Sequence, residues 1–239
     1  MLALRPQAKT AKILPRQLQD TTRAAMNPSA SSQGCTVFLV RHGATNSNLA
    51  TPPILQGRAI DDPLSATGQT QASHAARQLA SVSLAAVYSS PLRRAQETAQ
   101  AIADPHQLLV RTAPEITEVD VGRWERLSWE HIAREEPEAF RNFQSDPGRY
   151  GYPEGESLAD VSNRVVPAFR AIAAQHAGQS IAIVGHNVVN RAFLASALEL
   201  PLARARNIHQ ANCCINVLEW QADAWKVVAI NSIFHLPPS

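Results

Sequence analysis

The chain is expected to fold as a three-layer α/β/α sandwich on a mostly parallel sheet with an antiparallel edge. Three observations carry that expectation. From Cys35 onward, short apolar runs rich in β-branched residues alternate with segments of helical spacing, the pattern of a sheet covered on both faces. Three of those runs, residues 36–40, 85–88 and 181–184, each lead directly into polar groups. Two further runs, 214–220 and 225–230, flank the turn Gln221-Ala222-Asp223-Ala224 and supply the edge.

The elements follow in order. The strand at 36–40 runs into Arg41-His42-Gly43. Ser65 is the expected N-cap of a helix through Gln71, Ala75, Ala76 and Leu79. After the strand at 85–88, Ser90 is read as the N-cap of the next helix, with Pro91 at its first position. Residues 158–174 have helical spacing, and beyond Gly178 the strand at 181–184 ends in Gly185-His186-Asn187. Residues 190–200 resume helical spacing until Pro201 stops it. No segment repeats.

A chain of 239 residues with 45% hydrophobic residues can bury a substantial core and is expected to form one domain, 35–239. Residues 1–34 differ: Arg5, Lys9, Lys12, Arg16 and Arg23 face a single acid, Asp20, and the stretch ends in small polar residues. It has neither an apolar face nor a signal-peptide core and is read as a disordered extension, with Met26 an alternative start. A net charge of +2 and the lack of a basic helix interleaved with aromatics argue against a nucleic-acid partner. No apolar run approaches the roughly 18 residues needed to span a bilayer. Three cysteines, two of them adjacent, do not make a disulfide framework and point to a reducing, cytoplasmic setting. Oligomeric state is left open.

In an open α/β sheet, the ligand crevice lies beyond the carboxyl ends of the parallel strands. The polar groups at the three strand ends are therefore expected to meet, although they are far apart in sequence. Two histidines and at least two arginines in one crevice describe a site for a phosphate. Arg41 and Arg94 keep their charge and offer planar forks of donors suited to a dianion. An imidazole beside such cations is disfavoured in its protonated form, which leaves His42 free to attack phosphorus. His186 is the candidate to stabilise charge on the equatorial oxygens once phosphate is bound. The departing alkoxide needs a proton, and Glu118 is the candidate donor if partial burial and a nearby dianion raise its pKa.

The same residues resemble the histidine phosphatase superfamily, which includes cofactor-dependent phosphoglycerate mutases. The resemblance rests on Arg41-His42-Gly43-Ala44-Thr45 with Asn48, Gln56-Gly57-Arg58 and Pro63-Leu64-Ser65 through Gly68. It continues through Ser89-Ser90-Pro91-Leu92-Arg93-Arg94, Glu118 with Trp124-Glu125, Pro153-Glu154-Gly155-Glu156-Ser157 and Gly185-His186-Asn187. It implies a phosphoglycerate mutase-like fold over about residues 36 to 235. It makes His42 the phosphorylated histidine, Glu118 the proton donor and His186 the second histidine. Arg41 and Arg94 become the phosphate clamps, with Asn48 supporting and Thr45, Gly57 and Asn187 beside the substrate. No cofactor is implied. A metal site is disfavoured because Arg41 adjoins His42 and no carboxylate cluster accompanies the two histidines.

Two positions depart from the family pattern. Asn187 replaces the usual glycine after the second histidine, where its amide either donates to phosphate or crowds the pocket. Arg126 replaces a small residue after Trp124-Glu125. Arg93, about 100° around the helix from Arg94, is read as structural or rim. The remaining six histidines are read as surface or packing residues.

Residues 119–157 are expected to form a substrate-selecting lid. They mix Trp124, Trp129, Phe140, Phe143, Tyr150 and Tyr152 with five arginines, a composition suited to stacking on an organic group and binding an extra acid, or equally to a packed helical subdomain. The expected activity is hydrolysis of a small phosphorylated metabolite through a phosphohistidine. The alternatives are a phosphoglycerate mutase-type phosphotransferase, disfavoured by the shortness of the segment between Glu118 and His186, and a catalytically silent phospholigand-binding protein.

Overall fold

The computed structural model describes residues 34–237, so the expectation for residues 1–34 falls almost wholly outside the described residues. One six-stranded sheet has the order β3-β2-β4-β1-β5-β6. Strands β1 (Cys35–Arg41), β2 (Leu84–Ser89), β3 (Val110–Thr112) and β4 (Ser180–Gly185) run parallel. Strands β5 (Ile215–Gln221) and β6 (Ala224–Ser232) run antiparallel at one edge. The mostly parallel sheet with its antiparallel edge is therefore as expected. Ala222 and Asp223, both at positive φ (50° and 60°), form the tight β5–β6 turn without a glycine.

Helices cover both faces. The first face carries α2 (Ala66–Leu79) and α3 (Arg93–Ala103), packed on Val40, Val87, Ala182 and Val184. The second carries α6 (Leu158–Ala174) and α7 (Asn187–Ala197), packed on Val37, Leu39, Ile181 and Ile183, with Phe169 and Phe193 stacked at 4.1 Å between them. The central strands read as near-continuous apolar runs because both of their faces are buried. Two short helices, α4 (Trp129–Glu135) and α5 (Pro137–Ser145), build the segment before α6, and α1 (Asn46–Leu49) follows β1.

Helix α6 has the expected bounds because Ser157 and Asp160 form a reciprocal capping box. Helix α7 differs. It begins at Asn187 with His186 as N-cap and ends at Ala197, where Glu199 turns into the left-handed region (φ 56°) ahead of Pro201. Helix α3 differs too. Its N-cap is Leu92, and the Arg93 amide is met by the Asp61 carboxylate at 2.5 Å. Ser90, expected as the cap, lies two residues earlier, its Oγ accepting from the Leu92 amide at 3.3 Å.

Strand register aligns the polar groups. Arg41 pairs with Gly185, and Ser89 pairs with Val184, so Arg41, His186 and Ser90 emerge level at one end of the sheet.

Candidate active site

His42 and His186 leave neighbouring strands β1 and β4 and bring their rings within 5.1 Å, tilted by 59°. The His42 Nδ1 lies 2.7 Å from the Gly43 carbonyl. A carbonyl only accepts, so Nδ1 carries the proton and the Nε2 lone pair is left for attack. Burial, then the charges of Arg94 and Arg41, hold the His42 pKa well below its usual value near 6.5, and the ring is neutral. The turn that carries it is tight. A Cβ at Gly43 would lie 2.5 Å from the Gly68 carbonyl, and one at Gly68 would strike the Ala44 carbonyl, so two glycines let the loop after β1 press against the start of α2.

His186 is fully buried, with Nε2 2.7 Å from the Ser90 hydroxyl and Nδ1 without a partner. Burial, then Arg94, His42 and Arg41, lower its pKa well below the usual value. A bound dianion opposes the same three cationic or ring groups and favours the imidazolium. Ser90, 96 residues away in sequence, is thus a partner of the second histidine rather than a helix cap.

The two arginines are anchored at one end and open at the other. Arg41 Nη1 donates to the Gln210 carbonyl at 2.6 Å, and Arg94 donates from Nη1 and Nη2 to the carbonyls of Ile60 and Gly57 at 2.6 and 3.0 Å. Each keeps a buried Nε with no partner. Unmade bonds on buried guanidinium nitrogens are costly, and an arriving phosphate would satisfy them. Burial pushes the Arg41 pKa down to about 10, which leaves it charged at neutral pH. Arg93 is exposed and pairs with Glu97, as expected of a rim residue.

A cavity of about 280 Å³ opens over Arg41 and His42 and is lined also by Asn48, Glu118, Asn187 and Asn212, whereas Arg94 and His186 are fully buried behind it. Glu118 is 3% exposed, and its carboxylate accepts from the amides of Val119 at 3.0 Å and of Val188 and Val189 at 3.3 Å, which seats it against the first turn of α7. The Asn48 Oδ1 accepts from the Thr45 amide and from Asn212 Nδ2, each at 3.1 Å, so its own Nδ2 is the donor left for a ligand. Asn187 lines the cavity with an Oδ1 that has no partner.

Other expected residues sit behind the wall. Thr45 is fully buried, caps α1 and donates to Gln56 at 2.8 Å. Gly57 holds Arg94 through its carbonyl and Glu125 through its amide. Neither lines the cavity. Arg126 is exposed, at φ 66°, and does not line it either. Asn212, which also donates to the His42 carbonyl at 3.1 Å, was not anticipated, and no local pattern marks it.

The aromatic segment divides. Trp124 meets Phe143 and Tyr152 edge to face in the core, and Phe143 and Tyr152 meet tilted at 4.6 Å, whereas Trp129 and Tyr152 also reach the cavity. Among the described residues, no group of three or more His, Cys, Asp or Glu is placed to hold a metal ion.

A mostly parallel sheet that gathers unpartnered cationic donors around a neutral imidazole defines a protein built for phosphoryl transfer. Residues 37–233 match the model of the histidine phosphatase superfamily (branch 1), and the chain belongs to that family. It is 31% identical over 201 residues to phosphoserine phosphatase 1 of Hydrogenobacter thermophilus, covering 84% of this chain and 93% of that protein. It is 32% identical over 189 residues to a probable phosphoglycerate mutase of Yersinia enterocolitica, covering 79% and 86%. The solved phosphoserine phosphatase of Entamoeba histolytica, in complex with 3-phosphoglyceric acid, superposes with a TM-score of 0.76 at 26% identity over 85% of this chain and all of that one. The chain is a phosphatase, a hydrolase of small phosphorylated metabolites.

Proposed function

We propose that His42 takes the phosphoryl group from substrate and that Glu118 protonates the departing alcohol. As substrate binds, Arg41, Arg94 and Asn48 hold the equatorial oxygens with the bonds left open on Arg41 Nε, Arg94 Nε and Asn48 Nδ2. The His42 Nε2 lone pair attacks phosphorus, and the P–O bond to the alcohol breaks. Glu118 delivers a proton to the leaving oxygen. The carboxylate that remains takes a proton from water, which attacks the phosphohistidine, releases phosphate and restores both residues. His186, with Ser90 behind it, supports the charge on phosphorus throughout.

The single observation that carries this reading is the pairing of a neutral His42, its Nδ1 locked to the Gly43 carbonyl, with two buried arginine Nε groups that have no partner. The segment 119–157 acts as the substrate-selecting wall through Val119, Val121, Trp129 and Tyr152. The names of the Hydrogenobacter and Entamoeba relatives support a phosphorylated amino or hydroxy acid as substrate. The name of the Yersinia relative supports a second reading, transfer between positions of a phosphoglycerate. Three unpaired, buried cysteines suit a reducing, cytoplasmic compartment.

Phosphate release from p-nitrophenyl phosphate and a panel of small phosphomonoesters, measured in EDTA with wild type and His42→Ala, tests the reading. Release by the wild type alone supports it. Phosphoglycerate interconversion without net release would replace it with the mutase reading.

A further inference from the structure

None of the five arginines between residues 119 and 157, candidates to bind an extra acid, lines either cavity in this region. Two others do. Beside the first cavity lies a second of about 200 Å³ that shares Trp129, Tyr152 and Val188 with it and is closed by Phe143 and Leu158. Arg191 of α7 and Arg206 complete its wall, and no acid lines it.

Both guanidinium groups are anchored by protein oxygens, Arg206 from an exposed position. Arg191 is partly buried and donates from Nε to the Ile208 carbonyl at 2.8 Å, and Arg206 donates from Nη1 to the Gln144 carbonyl and Oε1 at 2.7 Å each. Among the described residues neither forms an ion pair, although seven other pairs are formed. Burial lowers the Arg191 pKa, opposed by Tyr152 and Glu118. Two fixed cations at the end of an apolar slot fit an anion tethered to a flat or apolar body.

The spacing follows from α7. Arg191 is four residues after Asn187, one turn or about 6 Å along the axis, and its side chain leans back toward the helix N-terminus. An anion held there is separated from the first cavity by the side chains that the two cavities share, Trp129, Tyr152 and Val188.

We propose that this annex receives the carboxylate of the substrate, held by Arg191 and Arg206, while Trp129, Tyr152 and Phe143 cover a flat or apolar spacer. The substrate class is then a phosphomonoester whose alcohol part ends in a carboxylate beyond that spacer. The inference rests on the phosphatase reading above.

The test compares kcat/KM for 4-(carboxymethyl)phenyl phosphate and 4-ethylphenyl phosphate, which share a leaving phenol of similar acidity and differ in the distal charge. The wild type is expected to favour the carboxylate by about tenfold or more, and Arg191→Met with Arg206→Met to bring the ratio close to one. The ratio is internal to each preparation, so loss of folded protein does not alter it. A wild-type ratio near one, or a preference that survives in the double variant, would overturn the proposal while both esters still turn over. Hydrolysis of neither ester would overturn this inference, and if p-nitrophenyl phosphate and the panel of small phosphomonoesters were not hydrolysed either, the phosphatase reading itself with it.

Discussion

Arg164 of α6 and Glu156, eight residues before it, form a two-pronged ion pair, Nε to Oε1 at 2.8 Å and Nη2 to Oε2 at 3.0 Å. Both also hold the loop that carries Glu118. Arg164 donates to the carbonyls of Glu115 and Thr117 at 2.7 Å and of Glu118 at 3.3 Å, and Glu156 accepts from the Asp120 amide at 2.8 Å. The loop is thus fixed on both sides of the proposed acid from a helix more than 30 residues downstream.

Arg164→Met should misplace Glu118. The expected result is a fall in kcat of about 10- to 100-fold on alkyl phosphates, a smaller fall on p-nitrophenyl phosphate, and little change in KM. Arg164→Lys keeps the charge but not the fork and should not restore the rate. Steady-state kinetics on the two ester types check this, and a loss that is equal for both would remove the positioning role.

Glu118→Gln should slow esters of poor leaving groups by on the order of 10² to 10⁴ and activated aryl esters much less, because a good leaving group departs without a proton. Rates plotted against leaving-group acidity should be steeper in the variant than in the wild type.

Stability should fall in mild acid. His42 and His186 take up a proton in the unfolded chain near pH 6.5 but stay neutral in the fold, where burial and the arginines oppose charge. The unfolded state then binds more protons, so stability is complete above about pH 6.5 and is lost as the pH drops below it, by about 1.4 kcal/mol per pH unit for each histidine. His235, lowered by burial, adds in the same direction. Urea midpoints between pH 7.5 and 5 should show the slope, and His186→Asn should reduce it.

Arg126→Gly should stabilise the protein. Arg126 is exposed and sits at φ 66°, a conformation that costs an L side chain about 1 kcal/mol and a glycine almost nothing. The expected rise in Tm is about 2 to 4 °C, read by thermal unfolding, with activity unchanged.

The parts legible in the sequence were those set by local patterns. The three strands, the span of α6 and the β5–β6 turn all carry their signals locally, and His42, Arg41, Arg94 and His186 sit at strand or helix ends that those signals locate. Glu118 is a candidate from the leaving group's need for a proton, but nothing in its own neighbourhood shows that the amides of α7 will cover it. The misses are long-range. Ser90 looks like a helix cap until β4 places His186 beside it, and α7 starts as early as Asn187, where the distant Glu118 carboxylate takes the amides of its first turn. Asn212, Arg164, Arg191 and Arg206 belong to segments whose approach to the site is decided only by the packing of α6 and α7 against the sheet.

The central claim is a phosphoryl group carried on His42. Rapid acid-free quenching during turnover of a ³²P-labelled phosphomonoester, followed by alkaline digestion and peptide mapping, tests it most directly. Acid-labile, base-stable label on the peptide containing His42, absent in His42→Ala together with turnover, is the predicted result. Turnover that persists in His42→Ala, or label on another residue, would contradict it.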